Sequence, residues 1–300
     1  DVTHVVPLVR TLQRHWPQAR LHWVIDKGGF KLLEGLEGVT FHTYDKKTGL
    51  AGMRALRAEL PAEGFDALLQ MQVALRANLL SAFIRARRRI GYDRSRSKDL
   101  HGLVINERIP DRPGIHVLDA IGSFCEPLGL KQTGVTWDLP VPADAHVWAR
   151  AQWPTDAMRT LVISPCSSHE RRNWYADRYA AVADHAAAQG WRIVLCGGRS
   201  DLERRTADAI IGAMRAPALD LVGKDTLKQL PALLARADLV MTPDSGPMHI
   251  ANAMGTAVLG LHAASNPLRS GPYSSVRYCV DRYDDAARRY RGKPASELKW

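Results

Sequence analysis

Ala237-Asp238-Leu239-Val240-Met241-Thr242-Pro243-Asp244-Ser245-Gly246-Pro247-Met248-His249 begins as an apolar run, stops at a polar turn and reopens as a helical pattern that continues to Met254. The spacing predicts a buried strand that ends at Asp-Ser-Gly and passes directly into a helix. Gly246 removes a side chain where a ligand would approach, and Pro247 suits a first helical position whose N–H has no partner in the helix. A helix start of this kind directs orphan N–H donors and the positive end of its dipole outward, which favours anions. Asp244, acceptor-only when ionised, suits a hydroxyl or a positioning role better than a phosphate. The ligand these residue types suit is a sugar-phosphate or nucleotide; the competing reading is a plain strand-to-helix turn with ordinary capping.

The same rhythm extends upstream. Strands are expected at 160–164, 191–196, 219–222, 239–242 and 257–261, with helices at 179–188, 201–214 and 227–235 between them. In the first half, strands are expected at 20–25, 39–44, 65–70 and 89–92, with helices at 5–15, 50–60, 74–86 and 116–128. Repeated strand–helix units imply parallel sheets covered on both faces. Ligands of such sheets sit beyond the carboxyl ends of the strands. The turns rich in glycine and hydroxyls, at 164–168, 197–198, 223–224 and 244–246, all fall there. The proline-spaced segment Leu139-Pro140-Val141-Pro142 and the stretch to Pro154 read as a linker, giving domains at 1–150 and 151–300. Asp1-Val2-Thr3-His4-Val5-Val6 already enters a helix with no strand before it, so further residues are expected before Asp1 and, for want of a cap, after Trp300.

Three hundred residues accommodate two domains with a core each. No apolar run is long enough to span a membrane. Cys125, Cys166, Cys196 and Cys279 are widely spaced without a CxxC pair, which reads as free thiols in a reducing, cytoplasmic compartment. A formal charge of +10 asks for an anionic partner. Seven basic residues against two acids crowd positions 81–100, between Arg85 and Lys98. That run suits a phosphorylated glycan or an anionic lipid surface, or is simply a solvated face. Nucleic acid is disfavoured, because Tyr92 is the only aromatic interleaved with these cations. No D-x-D pair and no His/Cys cluster with ligand spacing occurs, so no metal site and no cofactor is expected.

The stretch from Pro243 to Leu261, followed by Ser265-Asn266-Pro267 and Gly271-Pro272-Tyr273, resembles the signature of glycosyltransferase family 9. That family contains the bacterial ADP-heptose:lipopolysaccharide heptosyltransferases. Ser164-Pro165-Cys166-Ser167-Ser168 with Arg171-Arg172-Asn173-Trp174 resembles its donor-phosphate loop, and Asp1-Val2-Thr3-His4-Val5-Val6-Pro7 resembles the continuation of its N-terminal motif. The resemblance implies an α/β fold of GT-B type: two Rossmann-like domains with parallel sheets facing an interdomain cleft, the C-terminal one holding the donor.

By the same resemblance, Asp1 is the general base that deprotonates the acceptor, against the simpler reading of a helix cap. Ser167, Ser168 and Arg172 grip the donor pyrophosphate, with Arg171 competing, and Arg172 stands where relatives often carry Lys. Asp244, Ser245, Gly246 and His249 complete the donor site, His249 lying one turn beyond Ser245. Asp201 or Glu203 matches an acidic ribose position, and Lys224, Asp225 and Thr226 sit where the adenine edge is read. Lys46, Lys47, Arg54, Arg57 and His116 fall on the side of a phosphorylated sugar acceptor, and the run from Arg85 to Lys98 fits an anionic glycolipid or the inner membrane leaflet. The expected reaction is metal-independent, inverting transfer of heptose from ADP-heptose to the lipopolysaccharide inner core. Alternatives are a related transfer with another donor or acceptor, a UDP-sugar 2-epimerase of the same fold, and a polyanion-binding module without catalysis.

Overall fold

A computed structural model describes residues 2–132, 134–153 and 157–298. The chain divides into two compact units, residues 1–137 and 138–299.

In the first unit a short 3-10 turn, Val2–Val5, leads into α1 (Val6–His15), followed by β1 (Leu21–Ile25), α2 (Lys27–Leu33), β2 (Val39–Thr43), α3 (Gly49–Glu59), β3 (Phe65–Gln70), α4 (Leu75–Ala82), β4 (Ala86–Gly91), β5 (Glu107–Arg108) and α5 (Val117–Gly122). Helix α1 buries Val6, Leu8, Val9 and Leu12 and leaves Gln13 and Arg14 on the other side, the periodicity that made it visible in the sequence. All strand pairs are parallel, and they form two sheets, β1-β2 and β3-β4-β5. The helix expected to reach Ala86 stops at Ala82, and the strand expected from Arg89 begins at Ala86.

The second unit contains α6 (Ala143–Gln152), β6 (Thr160–Ile163), α7 (Ala176–Ala188), β7 (Arg192–Leu195), α8 (Asp201–Ala213), β8 (Leu219–Asp220), α9 (Gln229–Ala235), β9 (Leu239–Pro243), α10 (Gly246–Ala253), β10 (Ala257–His262), α11 (Pro267–Ser270), β11 (Val280–Asp281) and α12 (Tyr283–Arg291). Its six strands make one parallel sheet in the order β11-β10-β9-β6-β7-β8. Every residue of β6 is buried, as a central parallel strand covered on both faces requires. Leu161, Ile163, Ile193, Leu195 and Met241 pack with Tyr179, Ala183 and Ile210 of the covering helices, and truncating one such aliphatic to Ala costs about 2–5 kcal/mol.

Strand order reverses at β6, with β7 on one side and β9 on the other. This switch point brings together the carboxyl ends of two strands nearly eighty residues apart in sequence, with Ser164 N–H donating to the Met241 carbonyl at 3.0 Å. A crevice for a ligand opens at such a point in doubly wound sheets.

The stretch expected as a linker to Pro154 is largely helix. The division falls after Trp137, and α6 belongs to the second unit, where Ala145 and Ala149 pack on Ala232 of α9. Arg236 secures it, donating to the carbonyls of Ala149 and Trp153 at 2.7 and 2.8 Å while its guanidinium lies over the Trp153 ring. Small residues allow the two helices to approach, and for this reason α6 carries no strong apolar signal.

Candidate functional site

At the carboxyl end of β9 the chain turns through Asp244 and Ser245 into α10. Ser245 is the extended residue before the helix, but its hydroxyl hydrogen-bonds the Thr242 hydroxyl at 2.9 Å and does not cap. With no side-chain cap and no acid in the first turn, the leading N–H donors of α10 remain available to an external acceptor. A Cβ on Gly246 would meet no protein atom within 4 Å, and the backbone there is not left-handed. Nothing in the fold itself therefore demands glycine at 246, and the open space beside it suits a ligand.

His249 pairs with Asp244 rather than aligning with Ser245: Nε2 lies 3.6 Å from Asp244 Oδ1. His262, at the end of the neighbouring β10, joins the group, its Nδ1 3.1 Å from the Ser265 hydroxyl. Burial alone would raise the Asp244 carboxyl, but His249, the Ser265 hydroxyl and the nearby His262 hold it down at about 2. Asp244 is thus a fixed, half-buried anion. Burial lowers the pKa of His262, against the pull of Asp244 and Asp281.

Across the switch point, the loop after β6 folds on itself. Ser167 N–H donates to Asn173 Oδ1 at 2.7 Å, and the buried Ser167 hydroxyl donates to the His169 carbonyl at 3.0 Å. Ser167 therefore shapes the loop with both its donors. Ser168, Arg171 and Arg172 are exposed on it. Trp174 anchors the far end, its ring edge-on to buried Tyr179, whose hydroxyl donates to the Pro165 carbonyl.

The turns after β7 and β8 are largely occupied by helix caps. Glu203 accepts Gly198 N–H at 2.6 Å and the Ser200 hydroxyl at 2.7 Å, while Ser200 Oγ accepts Glu203 N–H, a reciprocal cap for α8. Asp201 stays exposed in the first turn of that helix. Thr226 and Gln229 make the same exchange before α9, with Thr226 N–H on Gln229 Oε1 and Gln229 N–H on Thr226 Oγ1. The Lys224 ammonium folds back to the Asp220 carbonyl at 2.6 Å. The group this turn leaves under tension is Asp225, which burial and nearby Glu203 push up to about 6.

In the first unit, Lys46 and Lys47 are exposed beyond the end of β2, Arg54 and Arg57 lie on α3, and His116 caps α5. His116 Nδ1 accepts Leu118 N–H at 3.1 Å, and its ring meets that of His4 edge-on at 5.8 Å between centroids. Asp1 lies outside the described residues. The basic run proves to be mostly β4 and the turn after it. Arg88 forms a two-pronged pair with Glu107 of β5, at 2.8 and 2.6 Å. Arg89 is half-buried and donates to the carbonyls of Ser81, Ile84 and Val104, and Arg96 pairs with buried Asp93. These three cations hold the sheet and its turn together, which a count of charges along the chain does not reveal.

The sequence profile of glycosyltransferase family 9 (heptosyltransferase) matches residues 53–300. The chain belongs to glycosyltransferase family 9. Over its full length it is 38% identical to the lipopolysaccharide core heptosyltransferase OpsX of Haemophilus influenzae, covering 86% of that protein. It is 25% identical to lipopolysaccharide heptosyltransferase 3 of Escherichia coli, over 91% of this chain and 82% of the other. Among solved structures, the family 9 glycosyl transferase of Veillonella parvula superposes with a TM-score of 0.82 at 23% identity, covering 93% of this chain and 82% of that one. E. coli heptosyltransferase WaaC with ADP gives 0.72 at 19% identity, covering 93% and 88%. The fold class is thus α/β of GT-B type. A Listeria monocytogenes protein described as a putative UDP-N-acetylglucosamine 2-epimerase reaches only 0.56 at 15% identity, over 92% of this chain and 83% of its own. Likeness to the epimerase is one of fold alone, and family membership makes this chain a glycosyltransferase.

For this family 9 member, three residues escaped the reading of the sequence. Asn173 shapes the loop that carries the arginines, and His262 flanks Asp244 from the end of β10, in the gap between Leu261 and Ser265. Arg199 bridges the turns after β7 and β8 through the Gly223 carbonyl. Only Asn173, adjacent to the Arg-Arg pair, stood within a segment already singled out.

Proposed function

We propose that this chain transfers a heptosyl unit from ADP-heptose to the inner core of lipopolysaccharide, inverting the anomeric carbon. The observation that carries the reading is the convergence, at the β6/β9 switch point, of a loop bearing two exposed arginines with a turn bearing a fixed carboxylate and an uncapped helix start. Arg171, Arg172 and Ser168 meet the diphosphate, joined by the N–H donors of α10 beside Gly246. Asp244, too strong an acid to serve as a base, orients sugar hydroxyls as an acceptor, with His249 beside it. Ser167 and Ser245 keep those loops in shape. Asp201 and Asp225 supply acceptors to the ribose and base end of the nucleotide, in turns that Lys224 and Thr226 stabilise.

In the transfer step an acceptor hydroxyl oxygen bonds to the anomeric carbon as the carbon–oxygen bond to the phosphate breaks. The electron pair leaves with ADP, and the hydroxyl proton passes to Asp1, whose role rests on its motif. Charge on the leaving diphosphate is neutralised by the arginines and backbone N–H groups, without a cation. Lys46, Lys47, Arg54, Arg57 and His116 hold the phosphorylated acceptor, at the cytoplasmic face of an anionic inner membrane. No described helix is long and apolar enough to cross a membrane.

A thermal-shift panel of ADP, UDP, GDP and CMP tests the donor. ADP at a hundred times its Kd should stabilise the fold by about 2.7 kcal/mol, with the other nucleotides giving little. Stabilisation by UDP and not ADP sinks the assignment of donor. Undiminished turnover in Asp1→Asn would remove the base.

A further inference from the structure

Exposed leucines are ordinarily scattered singly over a protein surface. In the first unit four of them gather. Leu75 and Leu79 stand one turn apart on α4, each 46% exposed, while Leu100 and Leu103 are 63% and 79% exposed. The two pairs follow the carboxyl ends of adjacent strands, β3 and β4, and hydrogen bonds tie their segments together. Asp99 Oδ2 accepts Leu75 N–H at 3.3 Å, and Asn78 Nδ2 donates to the carbonyls of Lys98 and Asp99 at 3.3 and 2.9 Å.

This surface is stiff. Asp99 and Leu100 both occupy the left-handed region, at φ 50° and 66°, which a leucine enters only against a steric cost. Beneath them His101 is buried, its Nδ1 2.9 Å from Asn78 Oδ1 and its Nε2 accepting Tyr92 N–H at 3.0 Å. Gln70 completes the network by donating to Asn78 Oδ1 at 3.1 Å. The fold thus maintains a strained backbone that displays Leu100 to solvent on a braced segment.

The rim is cationic. Arg76, Arg94 and Lys98 are exposed and form no ion pair among the described residues, whereas the nearby acids are engaged, Asp93 by Arg96 and Asp99 by the first N–H of α4. We infer that this leucine-tipped, cation-rimmed surface, Leu75, Leu79, Leu100 and Leu103 with Arg94 and Lys98, docks on an anionic phospholipid bilayer. Aliphatic side chains enter the acyl boundary while the cations stay at the headgroups, the two-part attraction that interfacial binding needs. Two copies of the chain meeting through this face would set cation against cation, and a protein partner's interface core would be richer in aromatics. Docking here rests on the membrane-facing role proposed above and names its surface; the patch lies on residues separate from those proposed there for donor and acceptor, so it is read without either substrate.

The test is co-sedimentation of the full chain with vesicles of phosphatidylcholine alone or mixed with phosphatidylglycerol. The wild type should partition onto the mixed vesicles and barely onto the neutral ones. Leu100→Ser/Leu103→Ser, both exposed and so without consequence for the melting temperature, should lower the partition coefficient about tenfold. Arg94→Gln/Lys98→Gln should lower it by about fivefold per cation and remove most of the salt dependence. Equal binding of the leucine variant and wild type overturns the inference, as does failure of the wild type to prefer anionic vesicles. A wild-type dimer that the leucine variant dissolves overturns it as well, by assigning the patch to self-association.

Discussion

Asp244 is half-buried and yet ionised far below the usual carboxylate range, which means that its neighbours do more than offset desolvation. Its folded pKa of about 2 lies below the unfolded 3.8, so its contribution to stability is complete above pH 4 and drains away as pH falls toward 2. Asp244→Asn should therefore cost about 2 kcal/mol at pH 7 in urea titrations, and the gap from wild type should narrow as pH drops from 4 to 3. A gap independent of pH in that range would show that the carboxylate is not held by its imidazole neighbours. Asn173 bears on binding more than on stability. Asn173→Leu leaves Ser167 N–H without its acceptor and frees the loop that presents Arg171 and Arg172. A buried donor left unsatisfied costs about 1–3 kcal/mol, so ADP affinity by calorimetry should fall about tenfold. Unchanged affinity would separate the shape of this loop from nucleotide binding.

Among the elements, β4 shows best what could and could not be read in advance. In Ala86-Arg87-Arg88-Arg89-Ile90-Gly91 the sequence places a strand only from Arg89, whereas the strand begins at Ala86 and takes in the whole arginine run. Arg88 and Arg89 are absorbed by Glu107 on β5 and by carbonyls at and just beyond the end of α4, partners that only the folded chain brings near. The βα rhythm of the second unit was legible because its strands are continuously apolar and its turns carry glycine and hydroxyls. Helix α6 was not, because it packs through alanines, and neither was α12, where charge dominates every turn. Capping blurs the candidate site in a related way: Ser200/Glu203 and Thr226/Gln229 are helix starts whose residue types also suit a nucleotide. The turn between β8 and α9 nevertheless retains one costly group. Asp225, raised to about 6 from 3.8, penalises the fold wherever it is ionised. Asp225→Asn should stabilise the protein by about 3 kcal/mol at pH 8, a gain that shrinks as pH falls from 6 to 4, while weakening ADP. A stabilised variant with unaltered ADP binding would remove Asp225 from the donor site.

At the scale of the whole molecule, the titration of its histidines opposes that of Asp225. Burial lowers the pKa of His22, His101 and His262 below the model-peptide value of 6.5. His22 also stacks on His42, with Nδ1 2.9 Å from Nε2, and Arg20 adds to its disfavoured charge. His101 is locked neutral by a donor on one nitrogen and an acceptor on the other, with Arg108 reinforcing that state. Each leaves stability unaffected above pH 6.5 and destabilises the fold below it, because acid protonates the unfolded chain first. Asp225 works the other way, since the folded chain takes up its proton near pH 6 and gains stability below that. Three histidines in two units act against one carboxyl, so the urea midpoint should fall as pH drops from 7 to 5. The decline should be shallower in His101→Gln, whose amide keeps one partner of the imidazole without titrating. In Asp225→Asn it should be steeper, because the opposing proton uptake is gone. A midpoint that rises on acidification in the wild type would mean that the carboxyl governs and the buried imidazoles do not.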